Sequence, residues 1–229
     1  MSKKPIPFNT EMVKATLDGR KTQTRRVIKL ENNNLIPTGY IFSSTDKKRV
    51  GKFSFGKTKE QDLEYANPRY KVGDILWVRE SAKVTMACND TLKINFEYLS
   101  DGTKKTIDIP KRYLDEYDFI KSDCFLAKLN QLHYDKEYVG VPNGCLKEMA
   151  RIFLKVTNVE VERLQDILVG DIIAEGYYNP DCTNHSRPHY FAEMAKKWWA
   201  NLWNSTAKDG CRWEDNPYVF VYEFERVEV

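Results

Sequence analysis

The stretch Gly19-Arg20-Lys21-Thr22-Gln23-Thr24-Arg25-Arg26 combines one lysine, two threonine hydroxyls and three arginines. A short predicted helix over residues 11–18 precedes it, with Asn9 or Thr10 as the N-terminal cap. Residues 26–30 follow it with the apolar pattern of a strand. The basic stretch is therefore predicted to leave a helix and enter a strand.

Lys21 precedes Thr24 by one short turn, so the amine and the hydroxyl can converge. Such a pair can activate a hydroxyl nucleophile without a histidine. The alternative is a solvated basic turn at a helix end, where cations suit the helix dipole. Spacing alone favours the solvated turn, because runs of charge usually lie on solvated faces.

Composition indicates a globular chain of 229 residues, with 41% hydrophobic, 13% aromatic and 30% charged residues. The net charge of +3 allows a local nucleic-acid surface without requiring one. No stretch has the composition of a signal peptide or a membrane span, and the five cysteines are scattered. We therefore expect a cytoplasmic protein with reduced thiols and no membrane partner; its oligomeric state is left open.

Further strands and helices are predicted from hydrophobic period. The strand at 75–80 places Arg79 and Glu80 on opposite faces, and a glutamate at a strand end most often forms an ion pair. A helix over 166–176 is expected to bury Ile167, Ile172 and Ile173. The remaining predicted elements are a strand at 51–56, a hairpin over 93–109, a strand at 152–161, a helix at 191–203 and a closing strand at 218–224.

The order of these motifs resembles the ASCH family, whose members are related to the PUA RNA-binding barrels. The resemblance is carried by Gly19-x-Lys21-x-x-Thr24-x-Arg26 and by four later segments. These segments are residues 73–80, 152–167, 174–176 and 218–224. The pattern is most similar to the longer ASCH-like proteins of bacteriophages and prophages, in which case the host cytoplasm is the expected location.

The resemblance implies an α+β fold, a PUA-like and mostly antiparallel β-barrel with flanking helices. Because minimal members are shorter, the chain is interpreted as one domain over 1–229 with insertions at 31–69, 100–147 and 177–216. Lysines in the first insertion could contact phosphate, although solvated loop charge is the default.

Some small ASCH proteins remove the acetyl group from 4-acetylcytidine, and this resemblance assigns catalysis to Lys21, Thr24 and Glu175. Thr24 would attack the amide carbonyl, Lys21 would take its proton and Glu175 would position the amine or relay a proton. The same resemblance gives contacts with phosphate, the oxyanion or a base to a further set of residues. That set is Arg20, Arg25, Arg26, Arg79 and Glu80.

Three alternatives stay open beside this amidohydrolase. The same lysine and arginines could serve a ribonuclease by stabilising a phosphorane. The chain could instead be a non-catalytic RNA-binding module, since fold alone never establishes catalysis, or a phage assembly factor. The expected partner is RNA or a modified nucleoside, and no cofactor is predicted. A weak zinc candidate is formed by Cys182, His185, His189 and Cys211, whose spacing is not that of a common zinc site.

Overall fold

The computed structural model describes residues 3–88, 92–110, 146–179 and 188–228. Within these ranges the chain is α+β, with mostly antiparallel strand pairs and flanking helices. The elements in chain order are β1 (Lys3–Pro7), α1 (Thr10–Leu17), β2 (Gln23–Val27), β3 (Ile36–Tyr40), β4 (Phe53–Gly56), β5 (Glu64–Ala66), β6 (Ile75–Arg79), β7 (Ala82–Cys88), β8 (Lys93–Tyr98), β9 (Lys104–Asp108), β10 (Phe153–Arg163), α2 (Val169–Ala174), α3 (Pro188–Asn204) and β11 (Tyr218–Val227).

The chain divides into two compact units. Unit 1 contains Gly19–Asp74 and Lys155–Glu225, and unit 2 contains Ser2–Asp18, Ile75–Leu154 and Arg226–Val229. In neither unit do the described strands close into a barrel.

Unit 1 is built on β11, which lies between β10 and β2. The β11–β2 pair is antiparallel and sets Tyr222 opposite Thr24 and Phe220 opposite Arg26. A second antiparallel sheet has the order β3-β4-β5. Helices α2 and α3 pack in a core that includes Ile172, Trp199 and Val219.

Unit 2 contains a parallel β1–β6 pair and an antiparallel sheet of order β7-β8-β9. Pro5 and Pro7 fit in β1 because this strand lies at the edge of its sheet, where a missing N–H is tolerated. Among the described residues, the core of the β7-β8-β9 sheet includes Ile94, Phe96 and Tyr98.

Most of the predicted elements are confirmed. The α1 helix begins after Asn9, whose side chain accepts a hydrogen bond from the Met12 N–H at 2.8 Å. The strands predicted at 51–56, 75–80, 152–161 and 218–224 are β4, β6, β10 and β11, and the hairpin over 93–109 is β8 and β9. In β10 the expected alternation holds, because Leu154 and Val156 are buried.

Three predicted boundaries are wrong. The strand expected at 26–30 is β2 at Gln23–Val27, so the second half of the basic motif, from Gln23 to Arg26, lies within the strand and only residues 19–22 precede it. The helix expected over 166–176 is a 3-10 turn followed by the short α2, because Leu168 has an extended backbone. Ile167 and Ile172 are buried as expected, but Ile173 is 38% exposed, because adjacent residues of a helix point in different directions. The α3 helix begins at Pro188, because proline suits a first helical turn.

None of the helices in the described ranges combines the length and apolar composition needed to cross a bilayer.

Candidate functional site

The basic motif is held between α2 and β11 by backbone hydrogen bonds. The Thr22 N–H donates to the Ala174 carbonyl at 2.8 Å, and the Phe224 N–H donates to the Thr22 carbonyl at 2.9 Å. Glu175 forms the C-terminal cap of α2, directly after Ala174. These contacts explain how Lys21 and Glu175, which are far apart in sequence, come to face each other.

Lys21 and Glu175 form a buried ion pair. The Lys21 Nζ lies 2.6 Å from Glu175 Oε2, and the two residues are only 2% and 1% exposed. The ammonium also donates to the carbonyls of Gln23 at 2.8 Å and Glu175 at 3.1 Å. Three acceptors match the three N–H donors of a lysine, so its orientation is fixed.

Burial lowers the pKa of Lys21 below its ordinary value of 10.5, and the nearby charges of Arg26 and Arg25 act in the same direction. Attraction to Glu175 opposes this effect but does not cancel it. A lysine with a lowered pKa releases its proton more readily, which suits it to the role of a general base.

Arg25 connects Glu175 to two further carboxylates. Its Nη1 donates to Glu175 Oε1 at 3.1 Å, its Nε donates to Glu162 Oε1 at 2.6 Å, and its Nη2 lies 3.6 Å from Asp171 Oδ2. The guanidinium also lies over the Trp199 ring, 5.9 Å from the centroid. Arg25 is therefore a buried residue that orients Glu175 through an internal network.

Thr24 is fully buried on β2, and its hydroxyl oxygen is engaged by Arg26. The Arg26 Nη1 donates to Thr24 Oγ1 at 2.9 Å and to the Arg25 carbonyl at 2.8 Å. Because the hydroxyl oxygen is the acceptor here, its own hydrogen stays available for donation to a base. Burial lowers the pKa of Arg26, with Glu175 acting in the opposite direction.

Two tyrosines border this network. Tyr222 lies opposite Thr24 in the sheet, and its ring centroid is 5.1 Å from that of Tyr70. The Tyr222 hydroxyl accepts a hydrogen bond from the Arg69 N–H at 3.1 Å. Burial raises the pKa of Tyr222 to about 12. The tyrosine is therefore neutral at physiological pH.

Arg20, Arg79 and Glu80, also predicted to contact phosphate or a base, make other contacts in the structure. Arg20 donates from Nη1 to the Gly176 carbonyl at 2.7 Å and lies 5.2 Å from the Tyr178 ring centroid. It therefore holds the chain just after Glu175.

Arg79 and Glu80 belong to unit 2. Glu80 is buried and accepts hydrogen bonds from Arg151 at 2.9 and 3.0 Å and from Ser100 at 3.0 Å, which is the ion pair expected for a strand-end glutamate. The Arg79 Nε is buried and has no hydrogen-bond partner among the described residues.

Several members of the network could not be found from sequence alone. Glu162 lies 137 residues from Arg25 along the chain, and the register that sets Tyr222 opposite Thr24 depends on strand pairing. Local spacing carries no signal for contacts of this kind. For Glu162 the one available hint was its place in a segment that resembles the ASCH pattern.

The candidate zinc ligands are described only in part. Cys182 and His185 lie outside the described residues. His189 is exposed in the first turn of α3, and the Cys211 carbonyl accepts a hydrogen bond from Trp203 Nε1 at 2.8 Å. Among the residues that the structure describes, no three metal-ligating side chains form a group able to hold a metal ion.

Comparison of the chain with protein-family models, curated proteins and solved structures gave no match. The likeness to the ASCH family therefore stays a prediction from sequence motifs.

Proposed function

We propose that this chain is an ASCH-like amidohydrolase of PUA-like fold that removes an acyl group from a modified cytidine, in RNA or as a nucleoside, in the cytoplasm. The observation that supports the proposal is the 2.6 Å contact between Lys21 Nζ and Glu175 Oε2, in a buried network that includes Arg25, the residue after Thr24 on β2. The three residues are those to which the family resemblance assigns catalysis.

In the proposed reaction, neutral Lys21 accepts the Thr24 proton while Thr24 Oγ1 attacks the acyl carbonyl. Arg26, already bonded to that hydroxyl, stabilises the negative charge that develops. The amide C–N bond then breaks, the cytosine amine takes the proton from Lys21, and the acyl group stays on Thr24 as an ester. Water hydrolyses the ester and restores the hydroxyl. Glu175 keeps the Lys21 amine oriented through both steps.

Thr24 has no exposed surface in the structure, so substrate reaches it only after a neighbouring side chain moves. Arg26 is the partly exposed side chain bonded to the hydroxyl. Its movement towards a substrate carbonyl or phosphate would uncover Thr24 and bring a cation to the oxyanion.

The test is mass-spectrometric turnover of 4-acetylcytidine, free and within RNA, by wild type, Thr24→Val and Thr24→Ser. Valine keeps the shape of threonine and removes the nucleophile, so turnover should fall by at least roughly 10³-fold. Serine keeps the hydroxyl and should keep measurable turnover. Lys21→Ala should also abolish turnover, with its fold checked by circular dichroism.

A matched control is Thr16→Val. Thr16 is also buried, and its hydroxyl donates to the Met12 carbonyl at 2.8 Å, so the change has the same chemistry in unit 2. If Thr16→Val and Thr24→Val lose equal activity, the effect is structural and the proposed role of Thr24 fails. Absence of turnover by wild type over a wide panel of acylated nucleosides and RNAs would refute the amidohydrolase.

A further inference from the structure

The β3–β4 connection exposes two aromatic rings in contact. Phe42 is 83% exposed and Tyr40 is 37% exposed, and their ring centroids lie 4.7 Å apart with an edge-to-face geometry. The Tyr40 ring also packs against Phe53, with 5.0 Å between the two ring centroids. A single exposed ring is common on protein surfaces, but a supported pair forms a platform on which planar groups can stack.

Basic residues are frequent in the segment that follows these rings in sequence. Residues 46–59 contain six lysines and arginines and one acidic residue. Lys47, Lys48 and Lys59 are exposed, and the Arg49 guanidinium lies 4.9 Å from the Tyr65 ring centroid. The segment is therefore rich in positive charge, although Arg49 is paired with Asp46 at 3.2 Å and the net charge of the whole chain is small.

A cavity of about 540 Å³ lies at the same place. Its lining includes Tyr40 and Phe42, the cations Arg49 and Lys59, and the acidic residues Glu60 and Asp62. The Asp62 carboxylate accepts a hydrogen bond from Thr38 at 2.6 Å. This volume is within the range of small-molecule sites. Aromatic, cationic and acceptor groups in one cavity match the face, the phosphate and the amino groups of a nucleotide.

We propose that this aromatic–basic surface, defined by Tyr40, Phe42, Lys47, Lys48 and Arg49, binds single-stranded RNA. Proteins that bind single strands combine stacking aromatics with cations that follow the backbone. A protein partner fits less well, because the centres of protein interfaces are depleted of lysine.

The surface also has a structural link to the network around Thr24. The ring centroids of Phe53 and Phe220 lie 5.7 Å apart, and those of Phe220 and Tyr222 lie 6.0 Å apart. Tyr222 is the cross-strand partner of Thr24, and all these residues belong to unit 1. The choice of RNA over DNA, and of a polymer over a free nucleoside as substrate, rests on the proposed function; the existence of the surface does not.

The test is fluorescence anisotropy of a labelled single-stranded RNA with wild type, Phe42→Ala and Lys47→Ala/Lys48→Ala. Loss of one stacking ring should weaken binding by roughly 5- to 100-fold. Loss of two phosphate contacts should reduce the slope of log affinity against log salt by about 1.4. Phe42 and both lysines are exposed, so these variants should keep the fold.

Two matched controls come from α3. Tyr190→Ala removes an exposed aromatic, and Lys196→Ala/Lys197→Ala removes an adjacent pair of exposed lysines. Both should leave RNA affinity and the salt slope unchanged. The proposal would be overturned if the control variants lost as much RNA affinity as the test variants, or if wild type did not bind RNA. It would also be overturned if Phe42→Ala abolished self-association of the protein without changing its RNA affinity. Equal affinity for single-stranded DNA would overturn the assignment of RNA.

The two experiments distinguish failure of the proposed reaction from failure of the proposed RNA-binding surface. RNA binding that depends on Phe42 in a protein without turnover refutes the proposed reaction and retains the surface. Turnover of free 4-acetylcytidine by a protein that does not bind RNA retains the reaction and refutes the surface.

Discussion

Glu175 compensates two buried cations, because its two carboxylate oxygens contact Lys21 and Arg25 separately. Glu162 and Asp171 also contact Arg25, whereas the Lys21 ammonium has Glu175 as its carboxylate contact in this network. Removing the charge of Glu175 would leave a lysine in a water-excluded site without its counter-charge. The dehydration cost of such a group is high.

Glu175→Gln should therefore lower the free energy of unfolding by about 3 kcal/mol, because it breaks a buried ion pair from one side. The pKa of Lys21 should fall further, since attraction to Glu175 is the interaction that raises it. Urea denaturation at pH 7 measures the first effect. The pH dependence of the Lys21 side-chain signal in NMR spectra measures the second.

Glu225→Gln is the control for this charge removal. Glu225 and Lys155 form an ion pair at 3.3 Å, and both side chains are exposed. Loss of an exposed pair should change the free energy of unfolding by less than about 1 kcal/mol. A similar loss in both variants would show that the Glu175 pair is no stronger than a surface pair.

At this scale spacing offered Lys21 and Thr24 as the less favoured of two alternatives, and the family resemblance was needed to prefer them and to add Glu175. A glutamate in the last turn of a helix opposes the helix dipole and is usually exposed. Its burial follows from the approach of β2 and from Arg25, and both depend on contacts between distant segments. Neither local period nor composition contains that information.

Among the elements, the β4–β5 hairpin depends on a close approach of its backbone. A Cβ atom added at Gly56 would lie 1.5 Å from the Gln61 carbonyl oxygen, so the connection must open to admit a side chain. Gly56→Ala should therefore destabilise the protein by roughly 1–3 kcal/mol. Thermal unfolding followed by circular dichroism measures the change.

Gly170→Ala makes the same substitution where space is free. Apart from its chain neighbours and the backbone of its own helix, no atom of the described residues lies within 4 Å of a Cβ added at Gly170, which is in α2. Alanine favours helix by up to about 1 kcal/mol, so the melting temperature should stay constant or rise. A loss as large as that of Gly56→Ala would show that the backbone contact at Gln61 is not the cause.

Elements with a clear hydrophobic period were predictable from the sequence. Elements whose limits depend on tertiary contacts or on an unusual local backbone were not. The α3 helix follows from its apolar residues at helical spacing, and β10 follows from alternation. The β1 strand contains two prolines, which local propensity assigns to a turn or loop, and its pairing with β6 overrides that preference. The predicted helix at 166–176 began before the true start of α2, because no sequence signature marks the extended backbone at Leu168.

For the whole molecule, acid stability should depend on Asp101. Its carboxylate accepts a hydrogen bond from Arg151 Nη1 at 2.7 Å, and this interaction lowers the pKa of Asp101 from 3.8 to about 2. A lowered folded-state pKa stabilises the protein above pH 3.8, and this contribution is lost as the pH falls towards 2. Because the side chain is 36% exposed, the contribution should not exceed about 1 kcal/mol.

Urea denaturation of wild type and Asp101→Asn between pH 2 and pH 6 measures this effect. The wild-type advantage should be present at pH 5 and should vanish near pH 2. Subtracting the variant removes the contribution of the other carboxylates. A constant difference across the range would contradict the assigned pKa.

At the scale of the whole chain, the α+β class and the mostly antiparallel pairing were implied by the family resemblance, and the described strands agree with both. The division into two units was not, since each unit joins segments that are distant in sequence. Residues 19–74, for example, are completed by residues 155–225. Only the register of strands such as β2 and β11 reveals that assembly.

The separation of Lys21 from Glu175 has a consequence for synthesis on the ribosome. The basic motif emerges early, whereas its counter-charges at Glu162 and Glu175 emerge more than a hundred residues later. The strand that pairs with β2 ends at Val227 and is translated later still. Unit 1 therefore cannot assemble until β11 has left the exit tunnel, and until then the arginines and lysine of the basic motif stay hydrated in the nascent chain.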